Sequence, residues 1–473
     1  MTNLRYRELG DTNVSFLAYL GLGMLTLSAV LPFTSSVNSK KIPIGFLGDS
    51  FSFQTISIFF SLYLVAIGQA GHKPCVQAFG ADQFDEQDPQ ESKAKSSFFN
   101  WWYMGMCLGP LLVISVLNYI QDNVGWGLGF GIPFIIMTIA LVIFLIGIPT
   151  YRHIVTGEER NASVRIGRVF VAAARNWHIK QSIIDVEEES QGFCPTHGSE
   201  QFRFLNKALV SSSSDDKGKA CCKTDVEETK AVLRLFPIWV TSIVYAIVFS
   251  QSATFFTKQG LTMDRSLGPN FSVPPASLQS FISLSVVLFI PIYDRIIVPV
   301  ARTSTGKPAG ITMLQRIGTG MFISTISMVI AAIVERKRLE TALKHGLIDL
   351  PNATVPMSVW WLVPQYVLFG VSDVFTMVGL QEFFYDQVPT ELRSVGLSLY
   401  LSVFGTGSLL SSLMVSVIDK ATGSNGKESW FSSNLNRGHL DYFYCLLAGL
   451  SIIEIALFVL FAKSYLYNKK TAI

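Results

Sequence analysis

Charge is what this sequence has least of. Only 15% of its 473 residues are Asp, Glu, Lys or Arg, while 49% are hydrophobic. Soluble domains carry about 25% charged residues. A soluble chain of this length would divide into domains, each with its own polar exterior. The net charge of +3 is also small and gives no ground for a nucleic-acid partner. Cysteine is scarce as well. Cys75, Cys107, Cys194, Cys221, Cys222 and Cys445 show neither metal-ligand spacing nor a secreted disulfide frame. The adjacent Cys221 and Cys222 read as plain loop residues in preference to a palmitoylation site. No Walker sequence is present, so ATP-driven pumping has no support. No Gly-x-Ser-x-Gly and no His/Cys cluster suggests a hydrolase or a metal site. The chain is therefore not expected to be an enzyme or to need a cofactor.

What is present is long apolar runs separated by short polar ones, with a mean hydropathy of +0.40. A membrane helix needs about 20 mostly apolar residues. Ten stretches qualify, over 16–33, 53–76, 98–120, 128–150, 233–257, 278–300, 310–334, 359–384, 395–417 and 442–463. The reading is an all-α membrane protein with spans in two groups, four then six. Residues 1–150 form the first bundle, 151–232 a polar central loop, and 233–473 a six-helix bundle.

The central loop opens with Arg152, Arg160, Arg165, Arg168, Arg175 and Lys180, which marks it as cytoplasmic. Residues 164–177 mix these arginines with apolar side chains, a pattern that lies flat on a membrane surface. Residues 185–189 and 211–219 read as solvated and flexible. Alternation then puts both chain ends inside. The run Glu335-Arg-Lys-Arg338 falls outside, against the positive-inside rule. Asn270 and Asn352 fall outside within glycosylation sequons, a motif too common to weigh much.

Ionisable residues inside spans are costly and by default functional. Lys73 lies in the second span and Asp373 near the middle of the eighth. The competing readings are a snorkelling Lys73 and an Asp373 that only bonds its helix neighbours. Arg234 and Arg316 stand near span ends, where snorkelling is the better reading. Glu382 and Asp386 close the eighth span and are expected at the membrane boundary. Trp101, Trp102, Trp239, Trp360 and Trp361 fit interface belts at least as well as a ligand pocket. With no motif for nucleotide or metal, a carrier driven by an ion gradient remains, its site near the bilayer midplane.

Several longer motifs carry a resemblance. The run from Gly71 to Asp85, GHKPCVQAFGADQFD, and Ser97-Phe-Phe-Asn-Trp-Trp-Tyr103 are two of them. Leu235-Phe-Pro-Ile-Trp239, Pro274-Pro-Ala-Ser277, Tyr293-Asp-Arg295 and Leu314-Gln-Arg-Ile-Gly318 follow, then Pro364-Gln-Tyr366 and Gln381-Glu-Phe-Phe384. Together they resemble the plant nitrate/peptide transporter family, proton-coupled oligopeptide transporters of the major facilitator superfamily. The likeness runs from about residue 16 onward.

The resemblance implies a major facilitator fold of twelve helices, of which about ten are visible here. It also implies alternating access and uptake coupled to protons. Lys73 falls on the family's fourth-helix lysine, and Asp373 on the tenth-helix acid that meets a peptide's amino group. Phe249 stands where a nitrate-carrying relative has a seventh-helix histidine, so that mode of nitrate recognition is not expected here. Met106-Cys107 replaces the usual Ile-Asn, and Cys107 removes a polar contact from the expected cavity. Residues 21–29 resemble the family's third helix, so the chain reads as lacking the first two helices and their Glu-x-x-Glu-Arg motif.

Two readings stay open. One is a proton-coupled carrier of nitrate, di- or tripeptides or another small organic anion. The other is a truncated, non-transporting form that associates with full-length relatives and regulates them. Either would sit as a multi-pass protein in the lipid bilayer of the plasma membrane or the vacuole.

Overall fold

The computed structural model describes residues 20, 23–24, 53–85, 88–123, 125–152, 162–178, 201–209, 222–266, 268, 272–306, 310–351, 353–389, 392–423 and 428–465. The described chain is almost wholly helical. In order come α1 (Phe53–Ala81), α2 (Pro89–Asn123), α3 (Trp126–Gly147) and α4 (Ala162–Arg175). Then follow α5 (Lys223–Ala253), α6 (Phe255–Leu261), α7 (Ser280–Ile292) and α8 (Val298–Thr305). The chain ends with α9 (Met313–Lys344), α10 (Val363–Asp386), α11 (Arg393–Thr422) and α12 (Leu440–Ser464). A short parallel pair, β1 (Met263–Asp264) and β2 (Val355–Ser358), is the one sheet among the described residues.

Seven of the ten expected spans, from 128–150 onward, coincide with helices long and apolar enough to cross a membrane. The stretches 53–76 and 98–120 lie within α1 and α2. Of 16–33, only Leu20, Gly23 and Met24 are described, as helix. The sequons at Asn270 and Asn352, and residues 185–189 and 211–219, fall outside the described residues.

The helices form two compact units, Met1–Lys95 with Gly109–Gly157, and Ser96–Leu108 with Glu158–Ile473. Helix α2 contributes its middle to the second unit and its two ends to the first.

In the first unit, α3 is apolar on every face, and Ile135, Ile139, Ile143 and Ile146 are exposed, as lipid-facing residues are. Its N-terminus needs Gly125, whose φ of 144° is open to glycine and strained for other residues. Phe79 of α1 packs edge-on against Phe144 and Tyr151, with ring centroids 5.7 and 5.0 Å away. Beyond α3, Arg152 makes a two-pronged bond to Glu91, with Nη1–Oε2 at 2.7 Å and Nη2–Oε1 at 3.1 Å. The Gln83 amide oxygen accepts from the Arg152 backbone at 2.9 Å.

In the second unit, α10 is enclosed along nearly its whole length. Close approach explains how. A Cβ on Gly320 of α9 would stand 2.0 Å from Thr376 Oγ1 and 2.7 Å from the Thr376 backbone nitrogen. Small residues let membrane helices touch backbone to backbone, and Ser372 Oγ uses the contact to donate to the Gly320 carbonyl at 2.7 Å. An apolar core with Val248, Phe256, Met328, Tyr366, Phe369 and Leu447 fills the interior. Leu409, Ile333, Ile452 and Leu460 point outward.

Helix α9 has 32 residues, about 48 Å at 1.5 Å per residue, against roughly 30 Å of hydrocarbon. Its last turns therefore leave the membrane and carry the charged run that broke the positive-inside rule. Arg338 there is fully buried. Its Nε and Nη2 bond both oxygens of Glu335 at 2.9 and 2.7 Å. The remaining donors reach Thr262, Asn436 and the Leu435 carbonyl. All five guanidinium donors are thus used, and Arg338 pins three chain segments together.

The stretch expected to lie on the membrane is the helix α4. It buries Val169 and Ala173 against Leu205, Ala208, Leu209 and Val226. Arg165 pairs with Glu228 at 3.1 Å and Asp225 at 3.7 Å, at the start of α5.

Candidate functional site

The middle of α10 carries Asp373, which is 2% exposed. A carboxyl there needs hydrogen bonds to be tolerated. It receives one from the Tyr245 hydroxyl of α5, donated to Oδ1 at 2.5 Å. No ion pair to Asp373 is made by the described residues of its own unit. Tyr245 is itself fully buried and stacks on Phe369 at 6.1 Å between ring centroids.

A shell of hydroxyls and rings surrounds this pair. Tyr103 and Cys107 of α2 and Tyr400 of α11 lie within the field of the Asp373 carboxyl. Gln381 Nε2 donates to the Tyr400 hydroxyl at 2.9 Å. Phe249, one turn beyond Tyr245, is half-buried and touches Phe404 at 5.4 Å and Phe369 at 6.1 Å. Asp373, Cys107 and Phe249 are therefore gathered in one unit. Lys73 is exposed on α1 and belongs to the other.

Beside the shell runs a second polar network that corrects the expectation for Arg316. The residue does not snorkel. It is 3% exposed, and its Nη2 donates to Asn100 Oδ1 at 2.7 Å and to the Val374 carbonyl at 2.9 Å. Its Nη1 faces Glu382 at 3.5 Å, and its guanidinium lies 4.2 Å from the Tyr293 ring centre. Glu382 is buried too, accepting from Ser96 Oγ at 2.8 Å, so it is not a free boundary charge. Asp294 sits on a π-helical turn, Tyr293–Ile297, between α7 and α8. It accepts from Ser97, Asn100 and Trp101 at 2.8, 2.9 and 3.3 Å. Single π turns often mark functional positions because they re-aim side chains. Trp101 and Trp239 are half-buried and bonded inside the unit, the latter to Ser402 Oγ at 2.8 Å. Trp360 and Trp361 are exposed.

Tyr245 and Tyr400 lie in none of the motifs above, and Tyr103 closes the run 97–103 without being singled out there. Glu454 did have a signal, as a carboxylate inside the span 442–463, read by the same rule that flags Lys73 and Asp373.

Membrane-length helices packed around a buried carboxyl and its hydroxyl shell define a multi-pass membrane protein with a polar site inside a helical bundle. Residues 12–431 match the model of the POT family, and the chain belongs to that family. "Protein NRT1/ PTR FAMILY 5.10" of Arabidopsis thaliana is 60% identical over 455 residues, covering 96% of this chain and 80% of that protein. "Protein NRT1/ PTR FAMILY 5.13" of the same plant is 55% identical over 459 residues, covering 96% and 80%. Among solved structures, an auto-inhibited POT family peptide transporter matches with a TM-score of 0.59 at 19% identity, covering 97% of this chain and 83% of that one. The POT family transporter PepTSo matches with 0.58 at 20% identity, covering 96% and 83%. These structures establish the fold.

Proposed function

We propose that this protein is a proton-coupled secondary transporter of nitrate, di- or tripeptides or another small organic anion, working in the plasma or vacuolar membrane. One observation carries the reading. Asp373 is buried midway along the membrane-length helix α10 with a tyrosine hydroxyl on it and no cation from the described residues of its own unit. Taking up or losing a proton there changes the charge where charge is most costly. A ligand or proton bound at such a group shifts the balance between conformations of the surrounding helices. Cys107 and Phe249, in the same unit, line the solute's path. Lys73 is the second charged group of the cycle, on α1.

Membership of the POT family, shared with proteins of the NRT1/ PTR family of Arabidopsis thaliana, supports the reading. The test is uptake into liposomes holding the purified chain, with and without an inward proton gradient, using nitrate and dipeptides. Gradient-driven uptake that Asp373→Asn abolishes is expected. Uptake indifferent to the gradient sinks the proton coupling.

A further inference from the structure

Glu454 lies near the middle of α12 and is 3% exposed. Its Oε1 accepts the backbone N–H of Tyr245 at 2.9 Å. Its Oε2 has no hydrogen-bond partner among the described residues, and neither has the hydroxyl of Ser451, one turn earlier on the same helix. A carboxyl inside a membrane bundle is expensive, and packing alone would be served by leucine. A side chain that takes up a mid-helix N–H intrudes on the hydrogen-bond ladder and bends the helix there. Pro237, about two turns earlier on α5, is a further source of bending.

The residue whose N–H is taken is also the residue whose hydroxyl holds Asp373. Tyr245 is thus gripped at its backbone by a carboxyl of α12 and at its ring end by a carboxyl of α10. We infer that Glu454 is a positioning residue for Asp373. By fixing the backbone of Tyr245, it sets where the phenol hydroxyl stands, and so how Asp373 holds its proton. This rests on Asp373 being the proton-binding group.

The other groups around the two carboxyls leave this route intact. Facing Asp373 are Tyr245 of α5, Tyr400 of α11, and Tyr103 and Cys107 of α2. Arg316 of α9 touches the carbonyl of the neighbouring Val374, but its charge is taken by Glu382. Facing Glu454 from α5 is the Tyr245 backbone. On α9, Arg316 is engaged with Glu382, Glu335 with Arg338 and Arg336 with Glu340, Lys337 lies over the Trp361 ring, and Lys344 is exposed at the helix end.

The test is an infrared titration of the purified full chain in lipid nanodiscs, which needs no transport. The Asp373 carboxyl band is assigned by its loss in Asp373→Asn. Glu454→Leu should move the Asp373 midpoint by about half a unit or more, roughly threefold in proton affinity, in the direction that Tyr245→Phe moves it. Glu454→Gln, which keeps an acceptor oxygen, should restore the wild-type midpoint. In the Tyr245→Phe background, Glu454→Leu should add nothing further. A midpoint that Glu454→Leu leaves alone, or moves equally without the tyrosine hydroxyl, overturns the inference.

Should the leucine variant fail to fold, the reciprocal measurement decides, because coupling between two sites is mutual. The Glu454 band, assigned by its loss in Glu454→Gln, should shift in Asp373→Asn and lose that shift in Tyr245→Phe. A Glu454 band indifferent to Asp373 overturns the inference. An Asp373 that does not titrate in the wild type refutes the proton-site reading itself, and this inference falls with it.

Discussion

The Tyr245 hydroxyl donates to Oδ1 of Asp373 at 2.5 Å, joining α5 to α10 inside the second unit. A hydrogen bond to a charged group contributes about 1.5–3 kcal/mol. Tyr245→Phe removes it and leaves the ring. Proton-driven uptake should fall roughly tenfold or more, without the complete loss expected of Asp373→Asn. Initial rates in liposomes check this, and a phenylalanine variant with wild-type uptake would remove Tyr245 from the site.

The Arg316–Glu382 pair should matter far more for stability than its exposed counterpart. Both partners are buried, and breaking such a pair strands a charge at a cost of about 3–5 kcal/mol. The Arg336–Glu340 pair is largely exposed and contributes roughly 0.3–0.5 kcal/mol. Glu382→Ala should therefore lower the thermal midpoint in detergent clearly, and Glu340→Ala hardly at all. Equal effects would contradict the burial argument.

Gly320 and Gly405 provide a matched pair on two membrane helices. A methyl on Gly320 meets Thr376 and Ser372 of α10, while one on Gly405 meets nothing within 4 Å. Overpacking costs about 1–3 kcal/mol. Gly320→Ala should destabilise the protein by that order, and Gly405→Ala should be neutral or slightly stabilising. Thermal unfolding followed by tryptophan fluorescence separates the two outcomes.

The Glu91–Arg152 pair gives a pH dependence of known sign. The bond from Arg152, and then the Asp85 backbone N–H, hold the Glu91 carboxyl below its ordinary value of 4.5. A group with a depressed folded value stabilises above its unfolded value and loses that contribution as pH falls through the folded one. The pair is solvent-exposed, so the effect is small. The melting temperatures of wild type and Glu91→Gln should differ at neutral pH and converge in acid. A difference that persists once pH has fallen below the folded value, where the carboxyl is protonated in both states, would point to some other role.

Much of the architecture was legible because hydropathy is a local sum. The spans from 128–150 onward needed no knowledge of neighbours, since about 20 apolar residues in a row can be stable only in lipid or in a core. Asp373 was legible for the same reason, as a charge standing inside such a run. Arg316 was misread because its distance from the span end said nothing about Asn100 and Glu382, far away in the chain. Arg338, in a charged run set against the positive-inside rule, made sense only once Glu335, Thr262 and Asn436 were seen around its buried guanidinium.

The sequence by itself determined that this is a many-helix membrane protein of the POT family with an acid buried in mid-span. Only the tertiary structure decided what that acid touches. Tyr245 reaches Asp373 across 128 residues, and Glu454 reaches Tyr245 across 209. No local pattern encodes such pairings. They exist because helices with small residues at their crossings pack closely enough to bring one helix's polar groups against another's, in an interior where an unpaired polar group is costly.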